Sequence, residues 1–533
     1  MIEHLESRIA PASIVITTSG TSFKVRGATP ADTLGLEFFA SSSGGFDLID
    51  PSSTDVISVN GSVAQAPPSG SYLLHFPGAS GDIIITGGKN SPGNFIQFSN
   101  GLFGGNGYIG GKLVMDFPAG NNNVELGVLN IGGGFLATMG PGNDRISFFS
   151  DTHIGGLTKL NLGDGNNTVN ATSDLVSSLS FGGSFKYTGG TGIDSVTLSA
   201  GGSGAGYGLS IFGNLNYFPG DGLSTFSLNA PSVTIGNSFV IKEGNNLSGS
   251  ESTVSLGGGL GGNGFAGFDV GSNLTWTTGG GLHTFFASVS NLNVGGKLSL
   301  SQGGIGDISF LRAFAQFGSI KALVIPAKAG LPAVPAGSGS FTFSGAGLKI
   351  AGVASFSGLS SVTLNASGSI SGPLTVSGES TLILESASSQ TPLEIGGIAK
   401  ISPVASESNP TRSALLNVRF YGNLSFNGTA NADALLLNSV QIFGLTKVAM
   451  GAGTDLVQIS QTAGAIQSVY AGPASFDFGA DPAAMSDAFA ASSNVSGSPV
   501  LFLGAVKFLH DDTGDTITDS TGVVFTLPPK VTP

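Results

Sequence analysis

Nine consecutive residues, Gly189-Gly190-Thr191-Gly192-Ile193-Asp194-Ser195-Val196-Thr197, satisfy the calcium-binding pattern GGxGxDxUx at every fixed position. Gly140 to Ser147, centred on Asp144, and Gly451 to Val457, centred on Asp455, fit it in part. Calcium needs several oxygen ligands, which tandem nonapeptides supply by stacking one directly on the next. Here the copies are more than 20 residues apart. The repeat predicts Asn167 and Ser224 as the neighbours of Asp194, and one carboxylate between neutral groups makes a weak cation site. The competing reading makes Asn122, Asp144, Asn167 and Asp194 turn residues that bond nearby backbone and can form a ladder. Asp194, Asp144 and Asp455 are therefore the calcium candidates, weighed against a purely structural corner.

Other chemistry is sparse. A polysaccharide hydrolase needs two placed carboxylates, and a lyase needs a base beside a charge-neutralising cluster. The repeat region offers isolated acids: Asp116, Glu125, Asp144, Asp164, Asp194, Asp221, Glu243 and Glu251. Asp307 and Arg312 are close in sequence. The histidines His4, His75, His153, His283 and His510 show no metal-ligand spacing, and His153 and His283 read as solvated residues at strand edges or turns. Asp511, Asp512, Asp515 and Asp519 form an acidic tail that reads as a solvated hairpin, because the downstream Glu of an EF-hand is missing. No nucleophile elbow or phosphate-binding loop occurs, since no helix follows the Gly-x-Gly strings.

The elements that would carry these residues announce themselves by repetition. Ile109-Gly110-Gly111, Ile131-Gly132-Gly133, Ile154-Gly155-Gly156 and Phe181-Gly182-Gly183 each precede an apolar run and then a Gly-x-Gly-x-Asn/Asp turn. Further copies begin at Ile211, Ile235, Val270, Val294, Ile370, Ile395, Phe420 and Ile442. Two or three short runs of Val, Ile, Leu and Phe per unit, with no 3.6-residue period, predict short strands rather than helices. A period of this length marks a solenoid. The expected fold is all-β, a right-handed parallel β-helix of about 15 coils. Its expected parts are a leader over 1–12, an N-terminal cap and first coils over 13–108, and solenoid halves over 109–320 and 341–470. A Pro/Ala/Gly-rich loop or joint over 321–340 separates the halves, Ser402 to Arg412 forms a smaller surface loop, and a C-terminal cap and acidic tail close the chain over 471–533. Within that last part, Asp481 to Ala491 predicts a short helix, with Asp481 as N-cap and Pro482 in the first turn.

Composition agrees with an extended repeat. Of 533 residues 86 are glycine, 10% are charged and 40% are hydrophobic, so a core can form while the surface is left to Ser, Thr, Asn and Gly. The net charge of −13, with no run of Lys and Arg, argues against nucleic acid as a partner. The absence of cysteine removes disulfides and thiol chemistry. No apolar run reaches the ~18 residues of a transmembrane helix, and Met1 to Ala12 lacks the apolar stretch of a signal peptide.

Leu5-Glu6-Ser7-Arg8-Ile9-Ala10-Pro11-Ala12 resembles the LE-x-R-x-x-PA element of large secreted β-strand-repeat proteins of planctomycetes and verrucomicrobia. That resemblance implies export and a low-charge, repeat-rich ectodomain. The expectation is a secreted or cell-surface, non-enzymatic, adhesin-like or structural protein whose repetitive face meets glycans or cell-envelope and matrix components. A β-helical carbohydrate-active enzyme and a calcium-stabilised assembly protein are the alternatives.

Overall fold

The computed structural model describes residues 13–40, 46–50, 56–60, 62–63, 72–76, 80–99, 107–127, 129–149, 152–173, 178–201, 208–246, 249–257, 267–311, 314–324, 339–404, 411–479, 487–493, 495–509, 516–519 and 522–532. It is all-β: a stack of three-strand coils, with no helix among the described residues. The chain falls into two compact units, Met1–Asn245 with Gly259–Asn263, and Asn246–Gly258 with Gly264–Pro533.

In the first unit, one coil consists of Gly107–Ile109, Leu113–Phe117 and Asn123–Leu126, and the next of Leu129–Ile131, Phe135–Met139 and Arg145–Phe148. Every strand pairs in parallel with its counterpart one coil on, Leu113 opposite Phe135 and Val124 opposite Ile146. Alternate residues point inward, so Leu113, Met115 and Phe117 are buried while Val114 and Asp116 are not. Like residues then stack in columns. Tyr187 and Tyr217 stack in one such column 5.5 Å apart, while Phe135, Phe148, Phe181 and Phe185, from different strands, meet edge to face across the core at 5.0–6.0 Å, a favoured aromatic geometry. The beginning of the unit breaks the rule. Ser13–Ser19 and Ser22–Gly27 pair antiparallel, as do Gly35–Ala40 and Phe46–Asp50. Ser22–Gly27 and Gly35–Ala40 then lie parallel on Ile83–Thr86 and Phe95–Ser99. These antiparallel pairs set the first strands apart from the parallel coils that follow.

The second unit repeats the plan. Its clearest coils begin at Gly368–Ile370, Leu393–Ile395, Val418–Phe420 and Gln441–Ile442. Asn291–Gln302 and Phe314–Val324 are single long strands where other coils have two. Lys321 to Val324 of the expected joint thus ends a strand, and 325–338 lie outside the described residues. The leader over 1–12, Glu407 and its loop neighbours over 405–410, and Asp511 to Asp515 lie outside them as well.

The helix expected over Asp481 to Ala491 is corrected. Residues 481–486 are outside the described set, but Ala488–Ala491 is a strand in register with Leu456 to Ile459. The alanines favour a helix only weakly once Phe489 fills the core column and the Ala488 N–H finds the Asp455 carbonyl.

The corner between the first two strands of a coil follows the rule apolar-x-Gly-x-apolar. Examples are Phe420-Tyr421-Gly422-Asn423-Leu424 and Tyr470-Ala471-Gly472-Pro473-Ala474, and Ile442-Phe443-Gly444-Leu445-Thr446 differs only in a buried Thr at the last place. The middle position is governed by close approach. A Cβ on Gly472 would lie 2.3 Å from the Gly444 carbonyl oxygen, and one on Gly444 would lie 2.6 Å from that of Gly422.

Candidate functional site

The Gly-x-Gly-x-Asn/Asp corner places its last residue inside the coil. In the first unit Asn94, Asn122, Asp144, Asn167, Asp194 and Ser224 occupy one buried column. Asn167 and Ser224 flank Asp194, as the repeat predicts. Side chains and backbone bond up the column. Asn122 Oδ1 accepts the Asn94 N–H (3.1 Å) and amide (2.6 Å), and Asp144 Oδ1 accepts the same pair from Asn122 (2.9 and 2.8 Å). Asn167 Oδ1 accepts the Asp144 N–H (3.2 Å), and the Asn167 amide donates to Asp194 Oδ1 (3.0 Å). Partners are 28, 22, 23 and 27 residues apart in sequence. The corner glycines make room: Gly165 and Gly192 have φ of +120° and +135°, and a Cβ on either would meet the preceding coil's carbonyl oxygen at 2.0 and 2.3 Å.

The second unit carries the matching column with carboxylates. The Asp433 N–H donates to Asp455 Oδ1 (2.8 Å), and the Asp455 N–H to Asp487 Oδ1 (2.7 Å). Asp433 also accepts from the Thr411 hydroxyl and from the Thr429 N–H. Asp487 escaped the sequence reading because it was assigned to the helix.

Asp144, Asp194 and Asp455 are thus interior ladder rungs. Asn167 separates Asp144 from Asp194, and among the described residues no three His, Cys, Asp or Glu side chains gather so as to hold a metal ion. The rungs next to Asp144 and Asp194 are neutral, whereas Asp455 stands between Asp433 and Asp487.

Burial has an electrostatic consequence. It pushes the Asp144 and Asp194 carboxyls up to about 6 each, against hydrogen bonds from Asn122 to the first and from Asn167 to the second, which pull down. It also lifts Glu379 to about 7 and Asp433 above its ordinary value. A carboxyl raised in the fold favours the protonated protein. Its stabilising contribution is complete below about pH 4, the unfolded value, and is lost as pH rises through 6. The double substitution Asp144→Asn, Asp194→Asn replaces both with neutral rungs. It will raise stability at pH 7.5 by up to about 3 kcal/mol per site and by much less at pH 4.5. Thermal melts of both proteins at the two pH values check this. A gap between them that does not change with pH would show that the rungs are not titrating.

The expectation of a solvated His283 is corrected too. It is fully buried, in register with Ser252 on the inner column of the second unit, with Nε2 3.2 Å from the Gly280 carbonyl oxygen. Sequence left both phases of its strand open, because Leu282 and Phe286 are apolar in one phase and Phe285 and Ala287 in the other. His153 is exposed at a strand edge, as expected.

Of the remaining acids, Asp164, Asp221 and Glu243 line one open surface pocket together with Lys242. Asp164 and Asp221, on the outer turns of two corners with that of Thr191 between them, accept the N–H groups of Thr191 and Asn245 at 2.7 Å. The Thr191 backbone and hydroxyl hold Asp164 below the usual carboxylate range. Asp307 accepts from the Ser340 hydroxyl (2.6 Å), and Arg312 lies outside the described residues.

No protein-family model, curated protein or solved structure matches this chain. Nor does any helix among the described residues have the length and apolarity to cross a membrane.

The outer surface holds two groupings that sequence spacing conceals. In the second unit, Glu394, Arg419 and Gln441 stand in adjacent register. Arg419 donates to Glu394 (2.7 Å) and to Gln441 (2.8 Å). Beside them the half-exposed rings of Tyr421 and Phe443 stack 5.6 Å apart at 12°. The second grouping is a column of outward residues on the second strand of each coil: Thr275, Ser299, Lys321, Ser355, Thr375, Lys400, Ser425, Lys447, Ser475, Lys507 and Lys530.

Proposed function

We propose that this chain is an exported, non-enzymatic surface or matrix protein that holds its partners by repeated weak contacts along its coils. The observation that carries this reading is the recurrence of small hydroxyl and amide side chains at outward positions in register. Ser309, Thr342 and Thr363 line up on the third strands, and Ser357, Ser377 and Ser402 on the second. A contact that suits one coil is offered again about 4.8 Å away on the next. Linked weak contacts gain by effective concentration, so avidity can exceed single-site affinity by about 10²–10⁴. The resemblance of Leu5 to Ala12 to an element of secreted repeat proteins supports export. The acids support a binding role over catalysis, since Asp144, Asp164, Asp194 and Asp221 are each engaged by backbone N–H groups or by their column neighbours.

The test is binding of the purified chain to surfaces bearing glycans at high and low density, with reducing and unsaturated sugar ends assayed in parallel. The expected result is retention that falls at least tenfold on sparse surfaces, without release of sugar ends. Release of such ends would select the carbohydrate-active enzyme instead. Equal retention at both densities would remove the multivalent mechanism.

A further inference from the structure

We propose that the lysine column of the second unit is a track for a linear anionic polysaccharide lying parallel to the stack of coils. Lys321, Lys400, Lys447, Lys507 and Lys530 are all exposed, and all occupy one file of the register. Hydroxyl side chains fill the places between them: Ser355 and Thr375, then Ser425, then Ser475. None of the five makes an ion pair among the described residues, where Arg419 bonds Glu394 instead. The next outward column on the same strands reads Ser377, Ser402, Asn427, Ala449 and Asp477, so one carboxylate lies beside the file. On the other side, the corner residues preceding these strands are Pro373, Ile398, Asn423, Leu445 and Pro473, all uncharged. A protein of net charge −13 thus presents an almost uncompensated positive line.

The spacing selects the occupant. At about 4.8 Å per coil, Lys400, Lys447 and Lys507 stand roughly 10 Å apart, and the whole file extends about 38 Å. That is sparse charge interleaved with hydroxyl groups. It suits a chain in which carboxylates alternate with neutral, hydroxyl-rich sugar units. Duplex nucleic acid carries one charge per ~1.7 Å, and the file has no arginine to grip phosphates bidentately. The assignment rests on the surface-binding reading above and names its ligand class.

The experiment compares the full chain with the variant Lys400→Gln, Lys447→Gln, Lys507→Gln and with the Lys→Arg variant at the same sites. Probes are polygalacturonate, a neutral β-glucan and a single-stranded DNA oligonucleotide, each titrated at 50 and 200 mM salt. The expected result is polygalacturonate binding that weakens with salt, falls at least tenfold in the Gln variant and survives in the Arg variant. Melting curves of the three proteins should coincide, which separates lost charge from lost fold. Unchanged polygalacturonate binding by the Gln variant would overturn the track while leaving the surface reading intact. Binding of β-glucan alone, unaffected by the variants, would do the same. Preference for DNA over polygalacturonate, or no binding to polygalacturonate at all, would also overturn it.

Discussion

Valine in place of Gly472 will destabilise the second unit by about 3 kcal/mol or more, a large part of a typical domain's 5–15 kcal/mol. The glycine's backbone needs no unusual φ. The cost arises because its Cβ would sit 2.3 Å from the Gly444 carbonyl oxygen and 2.7 Å from the carbonyl carbon. Both are backbone atoms of a coil tied on each side by strand hydrogen bonds, so neither can retreat like a flexible side chain. The Thr446 N–H already reaches the Pro473 carbonyl and the Ala474 N–H the Ala505 carbonyl, and spreading the corner would weaken both bonds. Gly464 supplies the control. It has φ +77° but nothing within 4 Å of its would-be Cβ, so Gly464→Ala costs only the left-handed penalty of about 1–2 kcal/mol. Urea titrations of both variants check the ordering, with the buried, single Trp276 reporting on this unit. Equal losses would show that close approach does not govern the corner.

Leucine in place of Asn167 will cost the first unit about 2–5 kcal/mol. The substitution removes an acceptor and a donor from a fully buried rung. The Asp144 N–H loses its Oδ1 partner at 3.2 Å, and the Gly163 carbonyl and Asp194 Oδ1 lose amide donors at 3.0 Å. Each orphaned buried group costs about 1–3 kcal/mol, offset in part by the extra apolar side chain. Because solenoid stability is close to a sum over neighbouring coils, the damage should be local. Amide exchange will accelerate most at Asp144, Thr168 and Asp194, and least in the first strands, Ser13–Ser19 and Ser22–Gly27. Uniform acceleration throughout the unit would contradict the ladder as a nearest-neighbour device.

The corner ladder was legible in the chain because its chemistry is local. The Asn or Asp of each Gly-x-Gly-x-Asn/Asp turn recurs once per repeat, and the alignment of repeats correctly set Asn167 and Ser224 beside Asp194. What stayed hidden depends on coil length. Ladder partners are 22 residues apart from Asp433 to Asp455 but 32 apart from Asp455 to Asp487. Part of the difference lies between Ser460 and Val469, where the preceding coil passes directly from Asn438 to Gln441 through two residues, so equal spacing is lost while register is kept. For the same reason Lys400, Lys447 and Lys507 look scattered in sequence and form a file only when folded. The Asp481 to Ala491 helix failed because capping and alanine propensity describe an isolated segment, whereas here an existing strand edge at Leu456–Ser460 was waiting to be extended. His283 failed because one residue of phase decides between core and solvent in a strand.

Everything above depends on the register between successive coils, and the cysteine-free chain allows a direct measurement of it. Ser475 and Lys507 face each other across adjacent strands, while Ser475 and Lys530 are two coils apart. Neighbouring strands lie about 4.8 Å apart, within the Cα separation a disulfide spans, and two coils, roughly 10 Å, exceed it. The pair Ser475→Cys, Lys507→Cys should therefore oxidise to an intramolecular disulfide in the native protein, and the pair Ser475→Cys, Lys530→Cys should not. Comparable cross-linking of both pairs, or of the second alone, would contradict the coil register and the columns built on it.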